Sequence, residues 1–230
     1  MLSFTTSTEQ DFADFGRQLW LTRNSFLSHE QASQSIVRQL SEAFIDKNGE
    51  SQIALARIFR LTEVEELPAD VRGQVKPGEQ KVMALTGTWG LEKAWQHRSR
   101  SKGHQAIPIS AIAVPERIPM FQEVLTQLGI DIEYFYNTNE LVARGDQPYQ
   151  GTFHIADATS SAIPAQADFI RPYGIRSLVG FGGFIGSAGV LYLLYIFSRE
   201  YISPAAARNF YGLQEFIGAS IAIESRIFEN

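Results

Sequence analysis

The segment from Ser177 to Ser198, SLVGFGGFIGSAGVLYLLYIFS, contains no charged residue, and its structure decides the fold. An uncharged run of this length is long enough to cross a bilayer as a helix. Gly182 and Gly186 even have the G-x-x-x-G spacing with which membrane helices pair. The competing interpretation is a pair of buried strands that are joined by a glycine-rich turn.

The composition of this segment favours the paired strands. Its glycines disfavour a helix in water and all precede Val190: Gly180, Gly182, Gly183, Gly186 and Gly189. Residues 185–189 (IGSAG) are typical of a turn, and residues 190–197 (VLYLLYIF) are rich in β-forming side chains. We therefore predict a β-hairpin inside a water-soluble domain and no membrane insertion.

Helical patterns stand at both ends of the chain. Helices are predicted for residues 8–22, 28–45, 115–128 and 204–228, with a short helix at residues 68–74 and a helical turn at residues 165–171. A helix is also favoured over a strand for residues 81–89. Strands are predicted for residues 52–61, 105–109, 130–136 and 151–156. The simplest packing of these elements is an α+β (mixed α/β) fold with an antiparallel sheet flanked by the N- and C-terminal helices.

The overall composition excludes several classes of protein. The chain has 230 residues, of which 44% are apolar, as expected for a globular domain. Its net charge of −5 and scattered basic residues argue against nucleic-acid binding. The absence of Cys excludes disulfides, Cys-ligated zinc and a Cys nucleophile. The first residues lack the pattern of a secretion signal, so we expect a cytoplasmic protein.

Six segments between residues 30 and 225 form a long, ordered pattern. They are SIVRQLSEAFID (35–46), ALARIFRLTEVEELPADVR (54–72), GHQAIPI (103–109), IPMFQEVLTQLG (118–129), GTFHIADATSSAIPAQADFIRPYGIRSLVGFGG (151–183) and IFSREYI (196–202). This pattern resembles a bacterial GAF-like sensory domain found at the amino end of PAS-containing sensor histidine kinases and related signalling proteins.

The resemblance implies a GAF/PAS-like sheet in a sensory domain, which we assign to residues 28–230. Residues 1–27 form a separate N-terminal helix that is a candidate for dimerisation. The resemblance also implies transmission of the signal through the last helix to a dimer partner or to another domain, with a histidine kinase or another signalling domain as partner. The helix predicted for residues 204–228 has more apolar surface than one contact with the sheet needs, so we expect a homodimer in which helices of the two protomers pair. The residues concerned are Phe216, Ile217, Ile221 and Ile227. It implies no particular ligand or cofactor. A bilin attached through a thioether is excluded because there is no Cys.

The loop at residues 95–104 (WQHRSRSKGH) is the main candidate ligand site. Arg98, Ser101 and His104 match the pattern of the family that the chain resembles, and Trp95 precedes them. An arginine offers a planar, two-pronged donor to a carboxylate, so this loop would suit an anionic ligand. The alternative is a solvated basic loop without a ligand.

Two further residues complete the candidate site. His154 lies on a predicted strand. Together with His104 it could ligate a metal or a haem iron, but the spacing of the two histidines is not that of a metal-binding motif. A hydrogen bond to a backbone carbonyl is the favoured role of such a histidine. Arg176 lies between residues expected to be buried, where it needs an acidic partner from the protein or from a ligand.

The sequence thus favours a non-enzymatic sensor that binds a small molecule and acts in two-component-type signalling. No catalytic motif of a known hydrolase or metalloenzyme is present. The alternative is a protein-interaction adaptor whose pocket is filled by its own aromatic side chains.

Overall fold

Residues 177–198 form two antiparallel strands, which confirms the predicted hairpin and not the membrane helix. In the computed structural model, β5 (Ser177–Ile185) pairs with β6 (Val190–Ser198), with Phe181 opposite Leu194. The structure describes residues 1–113, 119–130, 151–161, 163, 165–185, 190–222 and 226–229. The turn expected within residues 185–189 therefore lies mostly outside the described residues. None of the described helices is long and apolar enough to cross a membrane.

The described residues form a six-stranded sheet in which every neighbouring pair is antiparallel. The other strands are β1 (Ile53–Glu63), β2 (Lys81–Gly90), β3 (Ala106–Pro108) and β4 (Gly151–Ile155). Their spatial order is β3-β2-β1-β6-β5-β4. This sheet and its flanking helices confirm the predicted α+β class.

The helices occur in chain order as α1 (Glu9–Leu21), α2 (His29–Ala43), α3 (Ala69–Arg72), α4 (Ile109–Ile112), α5 (Pro119–Gln127), α6 (Pro204–Asn209) and α7 (Tyr211–Ile221). Their starts follow from capping. Thr8 caps α1 in a reciprocal pair with Asp11, Ser28 caps α2, and Ser203 caps α6 ahead of Pro204. A π-helix spans Gln166–Ile170, where the sequence predicts a helical turn. The strand predicted for residues 130–136 lies almost wholly outside the described residues.

The two faces of the sheet carry separate apolar clusters because successive side chains of a strand point to opposite sides. Helices α1, α2 and α7 cover one face, where they pack on Ile58, Phe181 and Leu194. The other face carries Phe59, Tyr195 and other large side chains, and loop segments from residues 93–112 and 163–175 cover it. The two faces therefore have different covers, and the second one encloses the cavity described below.

The helix favoured for residues 81–89 is wrong, because this segment is the strand β2. It is hydrogen-bonded to β1 on one side and to β3 on the other. Its run of apolar residues is buried on both faces, and periodicity does not separate a buried strand from a buried helix. Gly87 adds a close approach, since a Cβ there would lie 2.5 Å from the Ser33 carbonyl of α2.

The last helix is shorter than predicted. It divides at Phe210, which is buried in an aromatic cluster with Phe12 at 4.5 Å, and α7 ends at Ile221 instead of residue 228. Ile217 and Ile221 are buried within the chain, where α7 packs against α1. Much of the apolar surface from which the sequence predicts helix pairing between protomers is thus covered by the chain's own N-terminal helix.

Candidate ligand-binding cavity

A cavity of about 830 Å³ lies on the sheet face opposite α1, α2 and α7. Alternation along the strands aims the side chains of Leu55, Arg57 and Phe59 from β1 into this space, with Tyr195 and Phe197 from β6. The loop between β2 and β3 and the segment around the π-helix form the other walls. A space of this size, enclosed by a sheet and two loop segments, is within the range of small-molecule sites.

Aromatic rings form much of the cavity wall. The ring of Trp95 lies 4.6 Å from that of Tyr173 and 5.5 Å from that of Phe169. Phe169 in turn meets Phe197 edge-on at 5.0 Å. Tilted and edge-to-face arrangements are the favourable ones for aromatic rings, so the rings of this wall pack on one another.

Arg57 is the cationic group that β1 places in this apolar surrounding. Its Nη2 donates a hydrogen bond to Oγ of Ser101 at 2.9 Å, and its Nε has no hydrogen-bond partner. Among the described residues, no carboxylate lies within ion-pair distance of it. Burial lowers the pKa of Arg57 to about 10, because the charged form loses its hydration without gaining a counter-charge.

The loop after Arg98 supplies the polar rim of the cavity. Ser101 is buried, while Arg100, Lys102 and His104 are exposed. His104 keeps contact with water although protein atoms surround much of its ring. Partial desolvation, with a smaller contribution from the positive charge of Arg57, lowers the pKa of His104. The rim therefore carries more positive than negative groups, since Asp168 is the acidic residue among the described lining residues.

Arg98 points away from the cavity and forms a buried ion pair. Its Nε lies 2.6 Å from Oε1 of Glu30, and the two residues are 5% and 2% exposed. The guanidinium also lies 4.8 Å from the ring centre of Phe228. Arg98 thereby connects the loop beside the cavity to Glu30 at the start of α2 and to Phe228.

The C-terminal segment, defined as residues 226–229, is bound to the N-terminus of α2. The amides of His29 and Glu30 donate to the carbonyls of Arg226 and Ile227 at 3.1 and 2.9 Å. In return, the amide of Glu229 donates to Oε2 of Glu30 at 3.0 Å. The first amides of a helix have no partner within the helix, so this segment satisfies groups that would otherwise need water.

His154 and Arg176 lie outside the cavity. The Nε2 of His154 is 2.7 Å from the carbonyl of Ile202, which confirms the expected backbone partner. Desolvation lowers the pKa of His154, and this hydrogen bond opposes the shift. Arg176 is exposed and lies 5.0 Å from the ring centre of Tyr201, so its neighbours are buried while its own guanidinium is not.

Two solved GAF domains resemble this chain. One, from a phosphoenolpyruvate-protein phosphotransferase of Coxiella burnetii, has 17% sequence identity and a TM-score of 0.47, covering 94% of this chain and 95% of that one. The other, from the Acinetobacter phosphoenolpyruvate-protein phosphotransferase, has 15% identity and a TM-score of 0.48, covering 91% of each chain. No protein-family model and no curated protein matches the chain.

The six candidate residues thus separate into two groups. The structure brings Trp95, Ser101 and His104 together at the cavity. Arg98, His154 and Arg176 lie elsewhere, and the first two have protein partners: the carboxylate of Glu30 for Arg98 and the carbonyl of Ile202 for His154.

The sequence interpretation missed Arg57, although a signal was present. The strand at residues 52–61 is apolar on both sides for most of its length, and Arg57 interrupts it between Ala56 and Ile58. A charge inside a strand buried on both faces needs a partner or a function. Among the described residues, no group of three His, Cys, Asp or Glu residues could hold a metal ion.

Proposed function

We propose that this chain is a non-enzymatic regulatory domain that binds a small organic molecule in the cavity and transmits the binding event to a signalling partner. The observation that carries the proposal is the cavity itself, an aromatic-walled space between the sheet and the loop segments that cover this face, into which a few polar groups converge. An adaptor without a ligand would have little use for open space of this kind, because close packing is the rule in protein interiors.

The connection of the cavity wall to residues 226–229 supports the regulatory part of the proposal. Trp95 and Ser101 line the cavity, and Arg98 between them pairs with Glu30 of α2. Glu30 also binds the C-terminal segment. A ligand that moves this loop therefore acts on residues that hold the end of the described chain.

The proposal retains the context that the sequence predicts: a cytoplasmic homodimer that works with a histidine kinase or another signalling protein in a two-component-type system. The homodimer has a direct measurement. Sedimentation equilibrium of the purified chain is expected to give the mass of two chains. The mass of a single chain at tens of micromolar would contradict the homodimer.

Ligand binding can be tested by filling the cavity. Ala165 and Ala167 are both exposed residues at the π-helix, but only Ala165 is among the residues that line the cavity. Native mass spectrometry of the wild-type chain is expected to show a bound small molecule or to show binding from a metabolite mixture. We expect Ala165→Trp to lose this binding and Ala167→Trp to keep it.

The alternative function is the protein-interaction adaptor. A wild-type chain that carries nothing and gains no mass or thermal stability from any mixture would support it. Equal binding by Ala165→Trp and Ala167→Trp would place the ligand elsewhere and would also contradict the proposal.

A further inference from the structure

We infer that the ligand is an organic monocarboxylate with a flat, apolar body, whose carboxylate binds Arg57. This inference rests on the proposed function and names the chemical class of the molecule in the same cavity. It concerns a residue that lies on a sheet strand, not in the candidate loop.

Arg98 shows how this chain pairs a buried arginine that has a structural role, and Arg57 can be compared with it. Arg98 is buried and has the carboxylate of Glu30 at 2.6 Å. Arg57 has its charge held away from water as well, yet among the described residues it has only the hydroxyl of Ser101 at 2.9 Å. A guanidinium has five N–H donors, so most of the hydrogen-bonding capacity of Arg57 remains for a ligand in the cavity. An anion would restore the charge balance that the protein itself supplies for Arg98.

The number of positive charges in the apolar part of the cavity favours a ligand with a single negative charge. Arg57 is the cation that the strand carries into the apolar part of the cavity, whereas Arg100 and Lys102 are exposed at the rim. A dianion on Arg57 would keep one negative charge without a counter-charge in apolar surroundings, which is unfavourable. The planar guanidinium also matches a carboxylate in a two-pronged geometry.

The aromatic wall of the cavity favours a flat, apolar body in the part of the ligand beyond its carboxylate. Trp95, Phe169 and Tyr173 present ring surfaces on the side of the cavity formed by the loops, and Phe59 and Tyr195 do so from the sheet. Rings of this kind pack favourably on a flat, apolar body in offset or edge-to-face arrangements. A carboxylate joined to an aromatic ring fulfils both requirements.

The experiment compares matched probes by isothermal titration calorimetry: phenylacetate, indole-3-acetate and 2-naphthoate, each against its amide, together with phenyl phosphate. We expect at least one carboxylate to bind the wild-type chain more tightly than its amide by about 10-fold or more, as for a hydrogen bond to a charged group. Binding should quench the fluorescence of Trp95, and Trp95→Phe should remove that quenching.

The variants locate the contact. Arg57→Met is expected to weaken the carboxylate about 10- to 100-fold and to leave the amide unchanged. Arg57→Lys keeps the charge without the two-pronged geometry and should give an intermediate loss. Arg60→Met is the matched control, because Arg60 is also half-buried on β1 but does not line the cavity, and it should bind like wild type.

Three results with binding probes would each overturn the inference while the carboxylates still bind. They are equal binding of carboxylate and amide, tighter binding of phenyl phosphate than of the carboxylates, and equal losses in Arg57→Met and Arg60→Met. If only the neutral probes bind, the ligand is not a carboxylate, but the proposal that the cavity binds a small molecule remains. Failure of every probe and of the metabolite mixtures would contradict the proposed function as well.

Discussion

At the scale of single residues, Arg57 and Arg98 make opposite contributions to stability. Replacing Arg98 by Met leaves the buried carboxylate of Glu30 without its partner, and such a change costs about 3–5 kcal/mol. Arg57→Met removes a desolvated charge that has no described carboxylate partner, so the free energy of unfolding is expected to stay equal or to rise by up to about 2 kcal/mol.

Urea unfolding followed by circular dichroism measures both changes. Arg176→Met is the control, because Arg176 is exposed and its replacement should change the free energy of unfolding by less than about 0.5 kcal/mol. A destabilisation of Arg57→Met as large as that of Arg98→Met would mean that Arg57 has a structural partner, and the argument for an anionic ligand would fail.

Two histidines make stability depend on pH. The pKa values of His104 and His154 are lowered in the folded chain, chiefly by desolvation, so the unfolded chain binds protons more readily near pH 6.5. Their contribution to stability is therefore present above that pH and is lost as the pH falls toward 5. We expect His104→Gln and His154→Gln each to reduce the fall in melting temperature between pH 7 and pH 5, and an unchanged pH profile in both would contradict the shifts.

The sequence predicts part of the cavity lining at this scale. Trp95, Ser101 and His104 were predictable because polar and aromatic residues are concentrated in one loop before a strand. The role of Arg98 was not, because its partner Glu30 is distant in sequence and is brought near only by the folding of α2 against the sheet. Residue type and spacing identify a group that needs a partner, but they do not identify the partner.

At the scale of elements, one carboxylate adds to the backbone hydrogen bonds between α2 and the C-terminal segment. Glu30 binds Arg98 through one oxygen and the amide of Glu229 through the other. Glu30→Gln keeps the shape of the side chain but loses the charge. We expect it to destabilise the fold by about 3 kcal/mol through loss of the pair with Arg98, and to weaken the binding of residues 226–229 to α2.

Hydrogen–deuterium exchange checks this expectation directly. Exchange of the amide of Glu229 should become faster in Glu30→Gln than in wild type. Glu42→Gln is the matched control on the same helix, because Glu42 pairs with Arg38 in an exposed salt bridge and such pairs contribute little. Equal protection of residues 226–229 in both variants would show that Glu30 does not hold the segment.

Elements were predictable where local signals agreed with packing. Caps and apolar spacing located α1 and α2, and glycine content separated the paired strands β5 and β6 from a membrane helix. For β2 the local pattern was ambiguous, and only its pairing with two neighbouring strands decides the structure. The C-terminal segment could not be predicted because its hydrogen bonds go to the start of α2.

At the scale of the whole molecule, the cavity and the C-terminal segment are joined through a short chain of contacts. It runs from Ser101 and Trp95 at the cavity, through Arg98, to Glu30 and then to the amide of Glu229. If a ligand favours one position of the loop, it changes the free energy with which residues 226–229 bind α2. Linkage requires the reverse effect to be equal, so loss of that contact must change ligand affinity by the same factor.

This reciprocity gives the last prediction. A carboxylate that binds the wild-type chain is expected to change the exchange rate of the amide of Glu229, and Glu30→Gln is expected to change the affinity for the same carboxylate by about 5-fold or more, the lower range of such couplings. Arg57→Met should abolish the first effect without altering exchange in the absence of ligand, since Arg57 does not touch the segment. Ligand binding that leaves Glu229 unchanged, together with unchanged affinity in Glu30→Gln, would mean that the cavity and the C-terminal segment are independent, and transmission would then have to pass through the helices on the other face of the sheet.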